Sequence, residues 1–213
     1  MTKVRTREEC LNAIQADIAW RKKELAALKG RLTGDESDLD PLLRSAVVMV
    51  YAHWEGFVRT ASVLYVSLVN EMVARRSITV SAHFSELLMW KMFREKGEHQ
   101  FLKNPVPFLE MRSEWPCSVD EKIPLDVIDT ESNLNSKVLK RLTATLGVDY
   151  SGFESKEKLM DDHLLNTRNR IAHGERIRVN AEDYEEVDVE IRDLIDRFQT
   201  LIEDCIQTES YRL

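Results

Sequence analysis

The residues best suited to chemistry lie between Leu159 and Arg178, in the run LMDDHLLNTRNRIAHGERIR. Arg168, Asn169 and His173 fall within six positions there, and Gly174 follows at once. A histidine titrates near neutrality and can supply an acid or a base at working pH. An arginine is a permanent cation with a forked set of donors for anionic oxygens. An amide orients either partner without changing charge. Arg168, Arg170, Arg176 and Arg178 place four cations within eleven residues of a chain whose net charge is −7. The same residues also fit a plain reading: a cation near a helix C-terminus complements the helix dipole with no further role.

These residues need a helix to present them. The spacing predicts one from Ser155 to His173, stopped by Gly174 as a left-handed cap. At about 100° per residue, Met160, Leu164, Thr167 and Ile171 form a core-facing stripe. Asp162, Asn166, Asn169 and His173 form a second line, roughly opposite, with Leu165 and Ala172 between. Arg168 lies five residues before His173 and leaves from a different flank, so only its long stem can bring it toward the imidazole.

The remaining chain reads as helical scaffold. Arg5 to Leu32 carries Leu11, Ile14, Ile18, Leu25 and Leu28 near helical spacing. A second helix should begin near Asp38 or Asp40, with Pro41 in its first turn. It is apolar on almost every face to Val73, as a central helix is. Arg44, Tyr51, Glu55 and Arg59 share one face of it, and Glu55 and Arg59 are spaced for an i, i+4 ion pair. A shorter helix is expected from Ser81 to Glu95. From 98 to 130 the pattern breaks around Pro105, Pro107, Pro116 and Pro124, an irregular insertion expected to pack through Phe101, Phe108, Trp115 and Ile123. Helical character returns in SNLNSKVLKRLTATLG, capped by Ser132, Asn133 or Ser136, with Val138, Leu139, Leu142 and Leu146 inward and Gly147 as the stop. The last helix runs from about Ala181 to Thr208. The expectation is one all-α domain over 1–213, with the insertion inside it.

The run Arg168-Asn169-Arg170-Ile171-Ala172-His173-Gly174-Glu175 resembles the signature of the HEPN superfamily (higher eukaryotes and prokaryotes nucleotide-binding). That signature is an arginine, often followed by a polar residue, then a histidine after four to six positions. YAHWEGFV in the central helix and TESNLNSKVLKRLTATLG are similar to members of prokaryotic conflict and toxin–antitoxin systems, in the branch called RiboL-PSP-HEPN. The resemblance implies a helical bundle with long antiparallel helices that dimerises, bringing two motif copies into one cleft. It implies a metal-independent endoribonuclease acting by 2′-hydroxyl attack, with RNA as substrate, no cofactor, and an antitoxin or other partner protein. Under it, His173 moves a proton, Arg168 stabilises phosphoryl charge, and Asn169 orients the phosphate or the histidine. Arg170, Arg176 and Arg178 attract phosphates, and Glu55 is a supporting carboxylate reaching in from the central helix. The alternative is a non-catalytic HEPN-like module that binds a protein or a nucleotide.

Composition sets bounds on both. A pI near 5.4 argues against a broad, non-specific grip on nucleic acid and leaves only a local basic patch. Glycine (7) and proline (5) are too scarce for an all-β chain. Cys10, Cys117 and Cys205 are isolated and odd in number, which suggests neither a disulfide framework nor a zinc site and fits a reducing cytoplasm. No glycine-rich phosphate loop and no HExxH occurs. The N-terminus has no apolar stretch of the secretory kind. His53, Glu55 and Arg59 interrupt the apolar run from Ser45 to Val69, so a buried helix is expected there instead of a membrane span.

Overall fold

The computed structural model describes residues 4–34, 36–76, 78, 80–84 and 122–212. They form α1 (Arg7–Lys29), α2 (Glu36–Arg76), α3 (Ser136–Leu146), α4 (Thr167–Ala172) and α5 (Ala181–Gln207). Short 3₁₀ segments cover Leu125–Val127 and Ser151–Lys156, and a π-helical segment, Leu159–Asn166, runs directly into α4. The all-α expectation holds. Among the described residues the only β pairing is an isolated bridge between Val80 and Arg212.

Three long helices make the core. α1 is antiparallel to α2: the Cys10 thiol meets the Leu64 carbonyl, and Arg21 donates to the His53 carbonyl at 3.3 Å. It is antiparallel to α5 as well, through Arg7–Glu209, Lys22–Asp196 and Lys29–Glu185. α2 and α5 therefore run parallel, matched from Asp40 beside Val179, through Trp54 and Phe57 against Phe198, to Tyr65 near Ser210. Two parallel helices need a long crossover, and the chain between them supplies it. α2 holds a window with mean hydropathy 1.2, long and apolar enough to cross a membrane, but 67% of that window is buried in the bundle. An all-round apolar helix is what such a central position requires.

Local chemistry sets the ends. Thr6 caps α1 by accepting from the Glu9 N–H at 3.1 Å, and Asn180 caps α5 by accepting from Asp183 at 2.7 Å. α2 starts earlier than the sequence suggested, at Glu36, so Pro41 lies inside it. Asp40 does not cap that helix; its Oδ1 accepts from the Val179 N–H instead. α3 is capped by Asn135, not by Ser132, Asn133 or Ser136. Asp161 completes that helix start, accepting from both the N–H and the hydroxyl of Ser136 at 2.7 and 2.6 Å. A carboxylate there satisfies orphan donors at the positive end of the helix dipole. Gly147 ends α3 at φ +69°, as expected.

Of the helix expected over Ser81 to Glu95, only the first turn to Phe84 is described. Phe101, Phe108, Trp115 and Cys117 lie outside the described residues. Ile123, where the chain returns, is buried and clamped by Asn70, whose amide donates to its carbonyl at 2.9 Å and accepts from its N–H at 2.7 Å. Burial pushes the Cys10 thiol up to about 12, so it is an inert core residue.

Candidate functional site

The motif helix is not uniform, and this decides where Arg168 points. A π turn closes i→i+5 bonds and fits an extra residue into the repeat, so positions beyond it rotate relative to an α-helical wheel. Met160, Leu164 and Leu165 are all buried as a result, where a strict α pattern buries only the first two. Arg168 is carried toward α2. Its guanidinium carbon sits 4.5 Å from the centre of the Tyr51 ring, within cation–π range. Its Nη1 donates to Asn169 Oδ1 at 2.6 Å and reaches Asn133 Oδ1 at 3.5 Å.

Tyr51 is itself fixed. It is 1% exposed, and its hydroxyl accepts from the Leu134 N–H at 2.7 Å. Burial first, and then the neighbouring Glu55 carboxylate, hold its phenol well above the usual tyrosine range, with Arg168 pulling weakly the other way. Glu55 accepts from the Thr130 hydroxyl at 2.6 Å. The expected Glu55–Arg59 ion pair is absent among the described residues: Glu55 turns to Thr130, and Arg59 stays exposed. Tyr51, Glu55, Arg59, Thr130, Ser132 and Arg168 line one open cavity of about 460 Å³. On its rim, Glu131 and Ser132 adopt φ of +56° and +54° in succession. L-residues pay for that conformation, and such strain collects at ligand clamps. Asp129 and Arg141 hold the turn by bonding the Glu131 N–H and its carboxylate.

His173 is elsewhere. It is exposed and occupies the cap of α4, where Gly174 at φ +79° turns the chain. The Gly174 N–H bonds the Ile171 carbonyl at 3.0 Å and the Glu175 N–H bonds that of Arg170 at 2.9 Å, the paired closure of a Schellman cap. Arg44, from the same face of α2 as Tyr51, donates to the Glu175 carbonyl at 2.9 Å and pins this turn. Among the described residues nothing hydrogen-bonds the His173 ring, and it does not line the Arg168 cavity.

The structure thus brings Arg168, Asn169 and Glu55 into one neighbourhood and leaves His173 outside it. Arg170 and Arg178 are on neither: they line a second cavity of about 330 Å³ with Asp162, His163, Asp183 and Glu186. Arg170 pairs with Glu175 at 2.7 Å, and Arg176 is exposed. Sequence reasoning missed Tyr51 as the seat of Arg168, missed Thr130, and read Asn133 only as a helix cap. The Tyr51–Glu55–Arg59 face was visible as a polar seam; the loop residues carried no signal. Among the described residues no three His, Cys, Asp or Glu side chains gather as metal ligands would.

A family model, RiboL-PSP-HEPN, matches residues 16–204 of the chain. The chain belongs to the RiboL-PSP-HEPN family. Its match spans all five helices apart from the ends of α1 and α5, so Arg168, Asn169 and His173 fall within the HEPN region. No curated protein and no solved structure matches the chain.

Proposed function

We propose that this HEPN protein is a metal-independent endoribonuclease, working as a homodimer in the cytoplasm as a toxin or defence effector restrained by a partner protein. The observation that carries the reading is the split motif. Arg168 is seated on Tyr51 beside a carboxylate, while His173 projects from the helix end with its ring unengaged. In the reaction, the 2′-oxygen of RNA attacks phosphorus and the bond to the 5′-oxygen breaks. One His173 takes the 2′-hydroxyl proton, and a second protonates the leaving oxygen. Arg168 stabilises the charge that grows on the phosphoryl oxygens, and Asn169 holds its guanidinium. Two facing copies supply both histidines and bring an Arg168 against a His173 that its own chain keeps apart.

The test is cleavage of RNA in chelator by the parent protein and by His173→Ala and Arg168→Ala, each shown to be folded. Cleavage by the parent alone, with a cyclic phosphate detected by mass, is expected. Equal cleavage by all three, or none by any, overturns the assignment. Mixing the parent with an equal amount of His173→Ala tests the shared site: random exchange leaves both histidines in about a quarter of the dimers, so activity should fall to about a quarter of that of the same total of parent. Activity of about half in a mixture shown to exchange subunits, as independent sites would give, would refute a site shared across copies. One observation favours the second reading, a non-catalytic binding module: within one chain Arg168 is already held by a ring and, through its Nη1, by two amide oxygens.

A further inference from the structure

We propose that the Arg168 cavity is a nucleotide subsite that prefers guanine, with Arg59 as a second phosphate ligand and Glu55 as the group that reads the base. The inference rests on the reading of this site as RNA-binding and assigns roles that the motif does not.

The argument begins with charge. Arg59 and Arg168 line the same cavity, and among the described residues neither has a carboxylate within ion-pair distance. Arg7, Arg21, Arg75, Arg141, Arg170, Arg192, Arg197 and Arg212 all do; of the others without one, Arg5, Arg31, Arg44 and Arg176 line neither described cavity, and the only arginine that shares a cavity with Arg178 is the paired Arg170. In an acidic chain, two guanidiniums left without carboxylates around one opening are placed for an anion from outside. A phosphate bridging them gains charge-assisted hydrogen bonds from two forks. A bare phosphate would not explain the cavity, however. Its volume, about 460 Å³, falls within the range of small-molecule sites, roughly 300–1,000 Å³. Glu55 and Asp129 also line it, and carboxylates repel a lone anion. The ligand that satisfies both signs has an anionic end and a donor end, as a nucleotide does.

Glu55 narrows the base. Its Oε1 accepts from Thr130 and the carboxylate also accepts from the Tyr51 hydroxyl, which together orient it and leave acceptor sites for a ligand. A carboxylate needs two adjacent donors. Guanine offers N1–H beside its amino group. Adenine and cytosine set a ring acceptor beside their single amino group, and uracil flanks its one N–H with two carbonyls. Those acceptors face the carboxylate and repel it. Single-stranded RNA leaves such edges free to be read.

The experiment uses the full chain carrying His173→Ala, so that RNA is bound and not cut. Labelled pentamers UUGUU, UUAUU, UUCUU and UUUUU are titrated by fluorescence anisotropy across a salt series. The guanine pentamer should bind about tenfold tighter than the others, the scale of one bidentate base contact. Adding Glu55→Gln should erase that ranking. Adding Arg59→Gln, at an exposed position, should weaken all four equally and lower the salt slope by about 0.7, the loss of one single-strand phosphate contact. An unchanged ranking in Glu55→Gln, or an unchanged salt slope in Arg59→Gln, overturns the proposal. The parent protein is assayed for cleavage of the same pentamers. A guanine preference without cleavage keeps the subsite and removes the nuclease; cleavage without base preference does the reverse; no binding to any pentamer removes the subsite.

Discussion

Replacing Tyr51 by Phe isolates one oxygen atom on which the site's geometry depends. The hydroxyl accepts from the Leu134 N–H at 2.7 Å, and both residues are 1% exposed. Phenylalanine keeps the ring under Arg168 but leaves that N–H buried and unpaired. Such an orphan costs about 1–3 kcal/mol. For a chain of this length that corresponds to a fall in Tm of roughly 2–12 °C, at about 2–4 °C per kcal/mol. Thermal and urea unfolding followed by circular dichroism measure it. Tyr51→Leu removes the ring as well, so it should lose a further 0.5–2 kcal/mol or so from the cation–π contact. The two variants separate in activity too: Phe preserves the seat of Arg168 and should cleave RNA better than Leu. Stability of Tyr51→Phe within about 0.5 kcal/mol of the parent, the range of a neutral surface change, would refute the claim that this bond ties the 129–134 turn to α2.

Gly174→Ala should cost about 1–2 kcal/mol in unfolding free energy, because φ is +79° there although the space is open, and should lower cleavage by loosening the turn under His173. Gly56→Ala should cost about 1–3 kcal/mol by denaturation, since its Cβ would lie 2.7 Å from the buried Arg21 guanidinium, which must shift off the His53 carbonyl. His53 is 3% exposed, and burial lowers its pKa against the opposing pull of Glu24, whose Oε2 lies 2.9 Å from Nε2. A depressed histidine pKa means the unfolded chain binds the proton first, so its stability contribution is complete above about pH 6.5 and is lost as pH falls through the folded value. The stability difference between the parent and His53→Gln, measured by urea titration across that window, should shrink on acidification; a constant difference would refute it.

Much of the scaffold could be read from spacing alone, because burial along a regular helix repeats. In α5 the helically spaced Tyr184, Val187, Ile191, Leu194, Ile195, Phe198 and Ile202 are buried, and Leu201 is partly so. α3 presents Val138, Leu139, Leu142 and Leu146 inward for the same reason. What failed was anything set by a partner distant in sequence. Asn135 caps α3 in place of its neighbours because Asp161, from the π segment, also reaches that helix start. The line drawn through Asp162, Asn166, Asn169 and His173 assumed a constant 100° step. The π turn breaks that assumption midway: Asn169 turns in to Arg168, and His173 leaves at the cap. No propensity in LMDDHLLN marks a π turn; burying Leu164 and Leu165 together while aiming Asp161 at α3 favours it.

The same geometry decides which cations matter. Proximity in sequence groups Arg170, Arg176 and Arg178 with Arg168, yet Arg170 is paired to Glu175 and shares its cavity with Asp162, Asp183 and Glu186. A phosphate approaching there meets carboxylates as readily as guanidiniums. Arg59 is more than a hundred positions away in sequence and lines the cavity of Arg168; the carboxylates there, Glu55 and Asp129, are each held by a neighbour, the Thr130 hydroxyl and the Glu131 N–H, and neither lies at ion-pair distance from Arg59. Where the net charge is −7, long-range attraction of RNA is weak and binding must come from such uncompensated contacts at close range. Neutralising Arg59 should therefore weaken RNA binding more than neutralising Arg170 or Arg178, the reverse of the order that the local arginine density suggests.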